Sequence, residues 1–271
     1  MIRAALACIL LALGLAAQAN VAFVADIRGN ATIEGNGKLK FLAELPAGTR
    51  LLLGTGATVA ITYAASGTEF TITGPGEFLV TASEVKAEKG TMPAKRAVIV
   101  LPDPGIVTRV SRAATASVRM RGIAAPPAAA TVLEYPVDAR VATLQPVLRW
   151  KGDMSSDGVM VRVVDERGRE VWKARMQPNV APPPLRLSPA TRYSWTLMTS
   201  RGVLGEATFE TLPAEAVARA EKSRTAARSF SDRVLHAFLL QDIGAAHDAR
   251  EAWIALARER PDLAELAALA N

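Results

Sequence analysis

Residues 51–82 read LLLGTGATVAITYAASGTEFTITGPGEFLVTA, and this stretch decides the fold. Val59 and Ile61 alternate with small or polar residues, and Phe70 and Ile72 repeat the alternation after a turn. A period of two places apolar side chains on one face of a strand, and the glycine-rich breaks between such runs are typical of tight turns. Short strands at this spacing predict an antiparallel β domain around this stretch.

The glycine and apolar positions over residues 20–108 resemble those of the FecR-type extracytoplasmic domain. The matching positions are Gly29, Leu45, Gly48, Leu51, Gly54, Gly56, Ala60, Ile61, Gly67, Phe70, Ile72 and Gly74. The resemblance implies a domain on the outer side of a bacterial membrane. FecR proteins of siderophore signalling also carry a cytoplasmic anti-sigma segment and one membrane helix, and this sequence has neither ahead of the domain. The resemblance therefore implies that any signalling role needs a separate membrane partner.

The N-terminus has the pattern of a secretory signal peptide over residues 1–19. Arg3 precedes the apolar run Ala4–Ala17, which is too short to span a bilayer, and small residues stand three positions and one position before the expected cleavage. We expect cleavage between Ala19 and Asn20, and a periplasmic or secreted product.

Cysteine usage and charge narrow the classes of function. Cys8 is the only cysteine and lies in the predicted signal, so the mature chain is expected to have no disulfide and no thiolate metal site. A lipid anchor on Cys8 is the alternative, although few apolar residues precede it. The net charge of +6 favours an anionic envelope polymer or an acidic protein as partner over nucleic acid, and a purely solubilising charge is the simpler interpretation.

Residues 109–130 are predicted to be a basic linker rich in Pro and Ala. The run from Val107 to Val118 is also interpreted as a possible last strand of the first domain. No apolar run after residue 19 approaches the ~20 residues that a membrane span needs.

A second β pattern occupies residues 131–212 and resembles a fibronectin type III sandwich. Its anchors are Pro146-Val147-Leu148-Arg149-Trp150, Leu187-Ser188-Pro189, Tyr193-Ser194-Trp195 and Phe209-Glu210-Thr211. The resemblance implies a core position for Trp150 and a Tyr193 hydroxyl tied to nearby backbone. Trp172 and Trp195 are interpreted either as core residues or as exposed platforms for carbohydrate.

The period changes to a helical one over residues 213–271. A first helix is predicted up to Leu240, a second one after Gly244, and a short third one from Leu263 to Leu269. The second helix resembles that of a tetratricopeptide repeat through Gly244, Ala249, Trp253, Ala257 and Pro261. A single such hairpin does not form a stable array, so we expect it to dock on the sandwich or on a partner.

Catalytic and metal sites receive little support from the sequence. His236 and His247 are the only histidines, and with Asp242 or Asp248 they form the one candidate metal site, but their spacing favours histidines with local hydrogen bonds. No nucleophile elbow is present, and Gly54-Thr55-Gly56 leads into a strand pattern rather than the helix that a phosphate loop requires. The sequence therefore predicts no cofactor and no enzyme activity.

Arg219, Arg224 and Arg228 form a basic stretch with Lys222 on the first predicted helix. It is interpreted as an anionic-surface contact or as a solvated face. We therefore expect a mainly β protein of two antiparallel domains followed by a helical hairpin, which acts as a non-enzymatic binding or scaffold protein of the envelope. The alternatives are a ligand-sensing module that works with a separate membrane partner, and an envelope enzyme that acts on glycans.

Overall fold

The structure, a computed structural model, describes residues 20–118, 132–152, 158–176 and 184–270. These residues form a mainly β protein with several antiparallel sheets and helices at the C-terminal end, which confirms the predicted fold class. No helix among them is both long enough and apolar enough to cross a membrane. The predicted signal peptide and residues 119–130 of the predicted linker lie outside the described residues, so both stay predictions.

The first β unit, residues 20–101, is a sandwich of two five-stranded antiparallel sheets. Its strands are β1 (Asn20–Arg28), β2 (Ala31–Ile33), β3 (Gly37–Lys38), β4 (Glu44–Pro46), β5 (Arg50–Leu53), β6 (Thr58–Tyr63), β7 (Thr68–Thr73), β8 (Gly76–Val80), β9 (Val85–Lys89) and β10 (Ala94–Ala97). The first sheet has the order β10-β7-β6-β1-β4, and the second has the order β3-β2-β5-β8-β9. The alternation at Val59, Ile61, Phe70 and Ile72 therefore lies in paired strands, as predicted.

The turn at Gly54 confirms the interpretation of the Gly54-Thr55-Gly56 motif as turn chemistry. Strand β6 follows it, and no helix N-terminus is present to hold a phosphate. A Cβ atom built on Gly74 would stand 2.1 Å from the carbonyl oxygen of Gly54, so this close approach of two backbones requires glycine at position 74.

The first sheet is buried on both of its faces. Ile61 pairs with Phe70 on the inner face, which packs against the second sheet. Thr62 pairs with Glu69 on the opposite, outer face, and both are buried as well. An antiparallel sheet usually leaves one face in water, so the burial of the outer face means that other elements cover it.

The second β unit, residues 132–212, also consists of two sheets. Its strands are β11 (Val132–Tyr135), β12 (Ala139–Val141), β13 (Arg149–Lys151), β14 (Val159–Asp165), β15 (Glu170–Met176), β16 (Arg192–Thr199) and β17 (Gly202–Thr211). The larger sheet has the order β12-β17-β16-β14-β15, and β11 pairs with β13. All pairs are antiparallel except β12 with β17, which is parallel.

Two predicted local features of the second β unit are confirmed. The carboxylate of Asp165 accepts backbone hydrogen bonds from Arg167 and Arg169, which closes the predicted hairpin turn between β14 and β15. The Tyr193 hydroxyl accepts a hydrogen bond of 2.9 Å from the backbone N–H of Ser188. This contact is the backbone tie that the fibronectin resemblance implies for this tyrosine.

The helices are α1 (Gly105–Val118), α2 (Ala214–Ala226), α3 (Phe230–Asp242), α4 (Ala246–Glu259) and α5 (Ala264–Leu269). The interpretation of residues 107–118 as a strand or linker is wrong, because α1 covers them. Ile106, Val107 and Val110 recur at helical spacing and are buried in the core of the first β unit, while the Asp103 carboxylate accepts the N–H of Gly105 at the helix start. The Pro and Ala content of this region concealed that period.

The single helix that was predicted up to Leu240 is two helices, α2 and α3, because the helical conformation is interrupted between Ala226 and Phe230. Ser229 and Asp232 form a capping box in which the Ser229 hydroxyl accepts the N–H of Asp232, and the Asp232 carboxylate accepts the N–H of Ser229. This reciprocal pair satisfies two backbone donors and starts α3 at a fixed place.

Helices α3 to α5 cover the outer face of the first sheet. Phe238 contacts Phe23 of β1 at a centroid distance of 5.6 Å and Trp253 of α4 at 5.2 Å, and all three side chains are buried in one core. The hairpin was expected on the sandwich or on a partner. It docks on both β units, and its apolar face completes the core of the first one. The second β unit lies between α1 and α2 in sequence, so the first unit is completed by helices that follow the second one.

Candidate functional site

A cleft of about 680 Å³ lies where the second β unit meets the helices, and we call it the junction cleft. Residues 142–145 form one wall, and α2, α3 and α4 form the others. Its polar side chains are Tyr135, Thr143, Gln145, Glu221, Arg224, His236, Asp248 and Glu251. The junction cleft gathers titratable groups from several elements, and it is therefore the candidate site.

Asp248 lies at the centre of the contacts between α4 and the second β unit. Its carboxylate accepts a hydrogen bond of 2.8 Å from the Tyr135 hydroxyl and another of 2.8 Å from the backbone N–H of Ala142. Burial raises the pKa of Asp248, and burial together with the nearby Asp248 charge raises the pKa of Tyr135. The two groups therefore share one hydrogen bond that ties α4 to β11.

A second polar contact lies beside this one. Arg149 of β13 forms an ion pair with Glu251 of α4, and its guanidinium carbon stands 4.8 Å from the centroid of the Tyr135 ring. The His247 ring packs against Tyr135 at 4.7 Å, and its buried Nδ1 atom has no hydrogen-bond partner within the described part of the chain. Tyr135 is thus enclosed by Arg149, His247 and Asp248.

His236 joins α2 to α3 rather than to a ligand. Its Nδ1 atom lies 3.0 Å from the Ser223 hydroxyl, which is buried. Burial lowers the pKa of His236, and the Arg224 charge lowers it further, so the neutral imidazole is favoured. Arg224 itself donates two hydrogen bonds to the Glu221 carboxylate. The interpretation of His236 as a locally bonded histidine is confirmed.

The structure does not assemble the candidate metal site of the two histidines and an aspartate. In the ranges that are described, no group of three or more His, Cys, Asp or Glu side chains is placed to hold a metal ion. His236 faces Ser223, whereas His247 packs on Tyr135.

Arg96 forms the polar contact between the first sheet and α3. Its guanidinium binds the carboxylates of Glu69 and Asp232 and the hydroxyls of Ser229 and Ser231. Burial opposes ionisation of Asp232, but hydrogen bonds from Ser229 and Arg96 outweigh it and lower the pKa of this carboxyl group. The start of α3 is therefore fixed against the edge of the first sheet.

Arg260, at the end of α4, forms the corresponding contact with β1. It binds the Asp26 carboxylate, the Ile27 carbonyl oxygen and the Asp262 carboxylate, and its side chain is only 10% exposed. It also stands over the Phe230 ring at 5.3 Å. A buried guanidinium with this many acceptors anchors the end of the helical region to the N-terminal strand.

The candidate binding residues from the sequence are not brought together. Trp195 is fully buried and donates from Nε1 to the Pro136 carbonyl oxygen at 2.7 Å, so its interpretation as a surface platform is wrong. Trp172, on the edge strand β15, is half-buried against the core of the second β unit and lines a small cavity of about 190 Å³. Trp195 is in the core because its strand is central in the sheet.

The three arginines of the basic stretch have different surroundings. Arg224 is paired with Glu221 and lines the junction cleft. Arg219 lies on another face of α2 and lines a different groove, and the exposed Arg228 follows the helix, where its backbone N–H donates to Asp232.

Sequence reasoning missed Tyr135, Arg96 and Arg260, which hold the units together. Their partners are far away in sequence: Arg260 and Asp26 are separated by 234 positions, and Arg96 and Asp232 by 136. No local period or spacing reports such pairs. The only available signal for Arg260 is its place at the end of an amphipathic helix, next to a proline.

The comparisons with known proteins leave the family open. No family model and no curated protein matches the chain. Among solved structures, it is similar to the crystal structure of CopC from Methylosinus trichosporium OB3b, with 19% identity and a TM-score of 0.23, over 31% of this chain and 95% of that one. It is also similar to the BSP domain of a biofilm associated protein, with 11% identity and a TM-score of 0.22, over 68% of this chain and 24% of that one. These likenesses are too distant to assign a function.

Proposed function

We propose that this chain is a non-enzymatic binding or scaffold protein of the bacterial envelope that acts through the surfaces of its β units and helices. The observation that carries the proposal is that the titratable groups of the junction cleft bind other residues of the protein. Asp248 and Glu251 of α4 bind Tyr135 and Arg149 of the second β unit, and His236 of α3 binds Ser223 of α2. A catalytic acid or base needs a proton-transfer partner in the substrate, and these groups already have partners in the protein.

The way the helices join the β units supports the same proposal. They bind the first β unit through a shared apolar core and two arginine contacts, at the partly exposed Arg96 and the buried Arg260. They bind the second β unit through the smaller apolar cluster around Leu212 and Leu240, and through the Tyr135–Asp248 contact. Two β surfaces held at a fixed relation suit a protein that positions partners.

The experiment that tests the proposal has two arms. In the first, the purified full chain captures partners from envelope extracts, and we expect a specific protein that a heat-denatured sample does not recover. In the second, the chain is incubated with purified peptidoglycan and released fragments are measured by mass spectrometry. Release of fragments, or recovery of no specific partner, would contradict the proposal.

A ligand-sensing module is the second candidate, and the size of the junction cleft favours it. Its volume of about 680 Å³ lies within the range of roughly 300–1,000 Å³ that is typical of small-molecule sites. A ligand there would contact both the second β unit and the helices. A muropeptide or a ferric siderophore that raises the melting temperature of the wild type, but not of an Ala252→Trp variant with a filled cleft, would favour this function.

A further inference from the structure

A second cavity, of about 500 Å³, lies between the end of β10 and helix α2, and we call it the β10 groove. Residues 96–100 form one wall, and the other wall contains Arg219, Lys222 and Ala226. Leu239 of α3 and the side chains of Val98 and Ile99 supply apolar surface. The groove shares no lining residue with the junction cleft, so it is a separate candidate site.

The β10 side of this groove is an unpaired sheet edge. β10 is the last strand in the order β10-β7-β6-β1-β4, and it pairs with β7 alone. The N–H of Val98 donates to the Gly67 carbonyl oxygen, which continues the antiparallel register one pair beyond Ala97 and Thr68. In an antiparallel ladder, alternate residues bond to the same neighbour, so Ala97 and Ile99 direct their N–H and C=O groups away from β7.

These outward groups have no backbone partner in the described ranges. The side chains beside them are also accessible, since Val100 is 57% exposed. An exposed edge of this kind is a template for pairing with another extended chain.

The opposite wall of the groove is positively charged. Arg219 and Lys222 are exposed, lie three residues apart on one side of α2, and form no ion pair with any residue that the structure describes. The one acid of the lining, Asp232, is already bound by Arg96 and by the cap of α3. The groove therefore offers strand donors and acceptors on one side, apolar surface below, and two unpaired cations on the other side.

We propose that the β10 groove binds an extended acidic segment of a partner protein, which adds to the first sheet beside β10. Such a segment would pair its backbone with Ala97 and Ile99, place alternate apolar side chains against Leu239, and direct its carboxylates to Arg219 and Lys222. This inference rests on the proposed binding function and names the chemistry of one partner. A peptide fits better than a lipid surface, because a lipid headgroup would use the two cations and leave the strand edge unpaired.

The test uses the full chain and a fluorescein-labelled peptide of alternating Glu and Val, about six residues long, which is the usual length of a strand. Fluorescence anisotropy reports binding. One control peptide alternates Lys and Val, and another alternates Glu and Pro, so that it keeps the charge but lacks the backbone N–H at every second residue and cannot pair as a regular strand. We expect the Glu and Val peptide to bind and both controls to fail.

Three variants locate the site. The double variant Arg219→Glu and Lys222→Glu should weaken binding roughly tenfold or more, because it brings like charges together. Ala97→Pro removes an outward N–H that the β7 ladder does not use, and it should weaken binding similarly. Arg186→Glu makes the charge change of one of these two substitutions. It lies on the exposed surface of the second β unit and should leave binding unchanged.

Circular dichroism and the urea midpoint establish that each variant is folded. If Ala97→Pro does not fold, the charge variant and the Glu and Pro peptide still decide the question. Peptide binding that is absent, or that is unaffected by the charge variant, would overturn the inference. If vesicles of phosphatidylglycerol and phosphatidylethanolamine bind through Arg219 and Lys222 while the peptide does not, the cations face a membrane surface and the inference is also overturned. Capture of a specific partner that persists in the charge variant would leave the proposed function standing and remove only this site.

Discussion

The hydroxyl of Tyr135 in β11 donates a hydrogen bond of 2.8 Å to the carboxylate of Asp248 in α4, across 113 positions of sequence. This bond joins the second β unit to helices that belong to the core of the first one. The relative placement of the two β units therefore depends on a small polar contact between a tyrosine and a partly desolvated acid.

We expect Tyr135→Phe to lower the free energy of unfolding, because Asp248 loses a donor in a buried place. A double-mutant cycle with Asp248→Ala should give a coupling of about 1–2 kcal/mol between the two side chains in urea unfolding. Combining Tyr135→Phe with Asp232→Asn, which lies at the far end of the helices, should give additive effects. A coupling near zero for the first pair would mean that the hydrogen bond does not stabilise the junction.

The pH dependence of stability should carry the signature of Asp248. Burial raises its pKa in the folded chain, so the folded state holds the proton more tightly than the unfolded one, whose carboxyl has a pKa of about 3.9. The stabilisation is complete below the unfolded pKa and is lost as the pH rises through the folded pKa. The wild type should therefore gain stability relative to Asp248→Asn as the pH is lowered from about 7 to about 4.

Urea unfolding at a series of pH values measures this trend. Asp165→Asn is the matched control, because hydrogen bonds from Arg169 outweigh burial there and lower the pKa of Asp165. For that pair, the stabilisation is present above the unfolded pKa, and the wild type should lose it relative to the variant as the pH falls below about 3.9 and through the lowered folded pKa. Parallel curves for the wild type and Asp248→Asn would contradict the assignment.

The spacing of apolar residues along the sequence predicted most strands and helices of this chain. The alternation at Val59 and Ile61 gave β6, and the turn at Asp165 gave the hairpin of the second β unit. The same reasoning missed α1, because the Pro and Ala content around it favoured an extended linker. It also treated the units as a linear series, whereas the outer face of the first sheet is completed by helices from the other end of the chain.

The candidate site was predicted only in its parts. His236 and Asp248 were both singled out as candidate metal ligands, with local hydrogen bonds favoured for the histidine, but their actual partners Ser223 and Tyr135 carry no sequence signal. A serine or a tyrosine does not indicate a site in the sequence, because only the fold places its hydroxyl beside a buried acid or imidazole. Burial of Trp195 could not be distinguished from exposure either, since tryptophan suits both a core and a carbohydrate surface.

We expect Arg96 to stabilise the fold mainly by neutralising the buried carboxylate of Glu69. Glu69 is 2% exposed and has Thr62 as its other side-chain partner, so Arg96→Met leaves a buried carboxylate without a cation. We expect the free energy of unfolding to fall by about 2 kcal/mol. This is less than the roughly 3–5 kcal/mol of fully buried pairs, because the Arg96 side chain is 38% exposed. The double variant Arg96→Met and Glu69→Met should recover part of the loss in urea unfolding. A double variant less stable than Arg96→Met would contradict this explanation.

The two candidate tryptophans should behave differently in a polymer-binding assay. Trp195→Ala removes a fully buried indole and should cost roughly 3–5 kcal/mol, so any loss of binding in that variant would report unfolding. Trp172→Ala changes a half-buried edge residue and should leave the chain folded. Co-sedimentation with purified peptidoglycan should be unchanged by Trp172→Ala if the protein binds proteins rather than glycans. Loss of co-sedimentation in a folded Trp172→Ala variant would assign this edge to glycan binding instead.

The dependence of the first β unit on the helices gives the last prediction. Phe238 is fully buried between Phe23 of β1 and Trp253 of α4, and Phe238→Ala should cost roughly 3–5 kcal/mol. Hydrogen exchange under native conditions should then rise in β1 and β6, although the substitution lies far away in sequence, and should change little in β16. Phe209→Ala, at a buried site in the second β unit, is the matched control and should give the reverse pattern. If Phe238→Ala instead loosens both β units equally, the two units unfold together and the helices do not belong to the first one more than to the second.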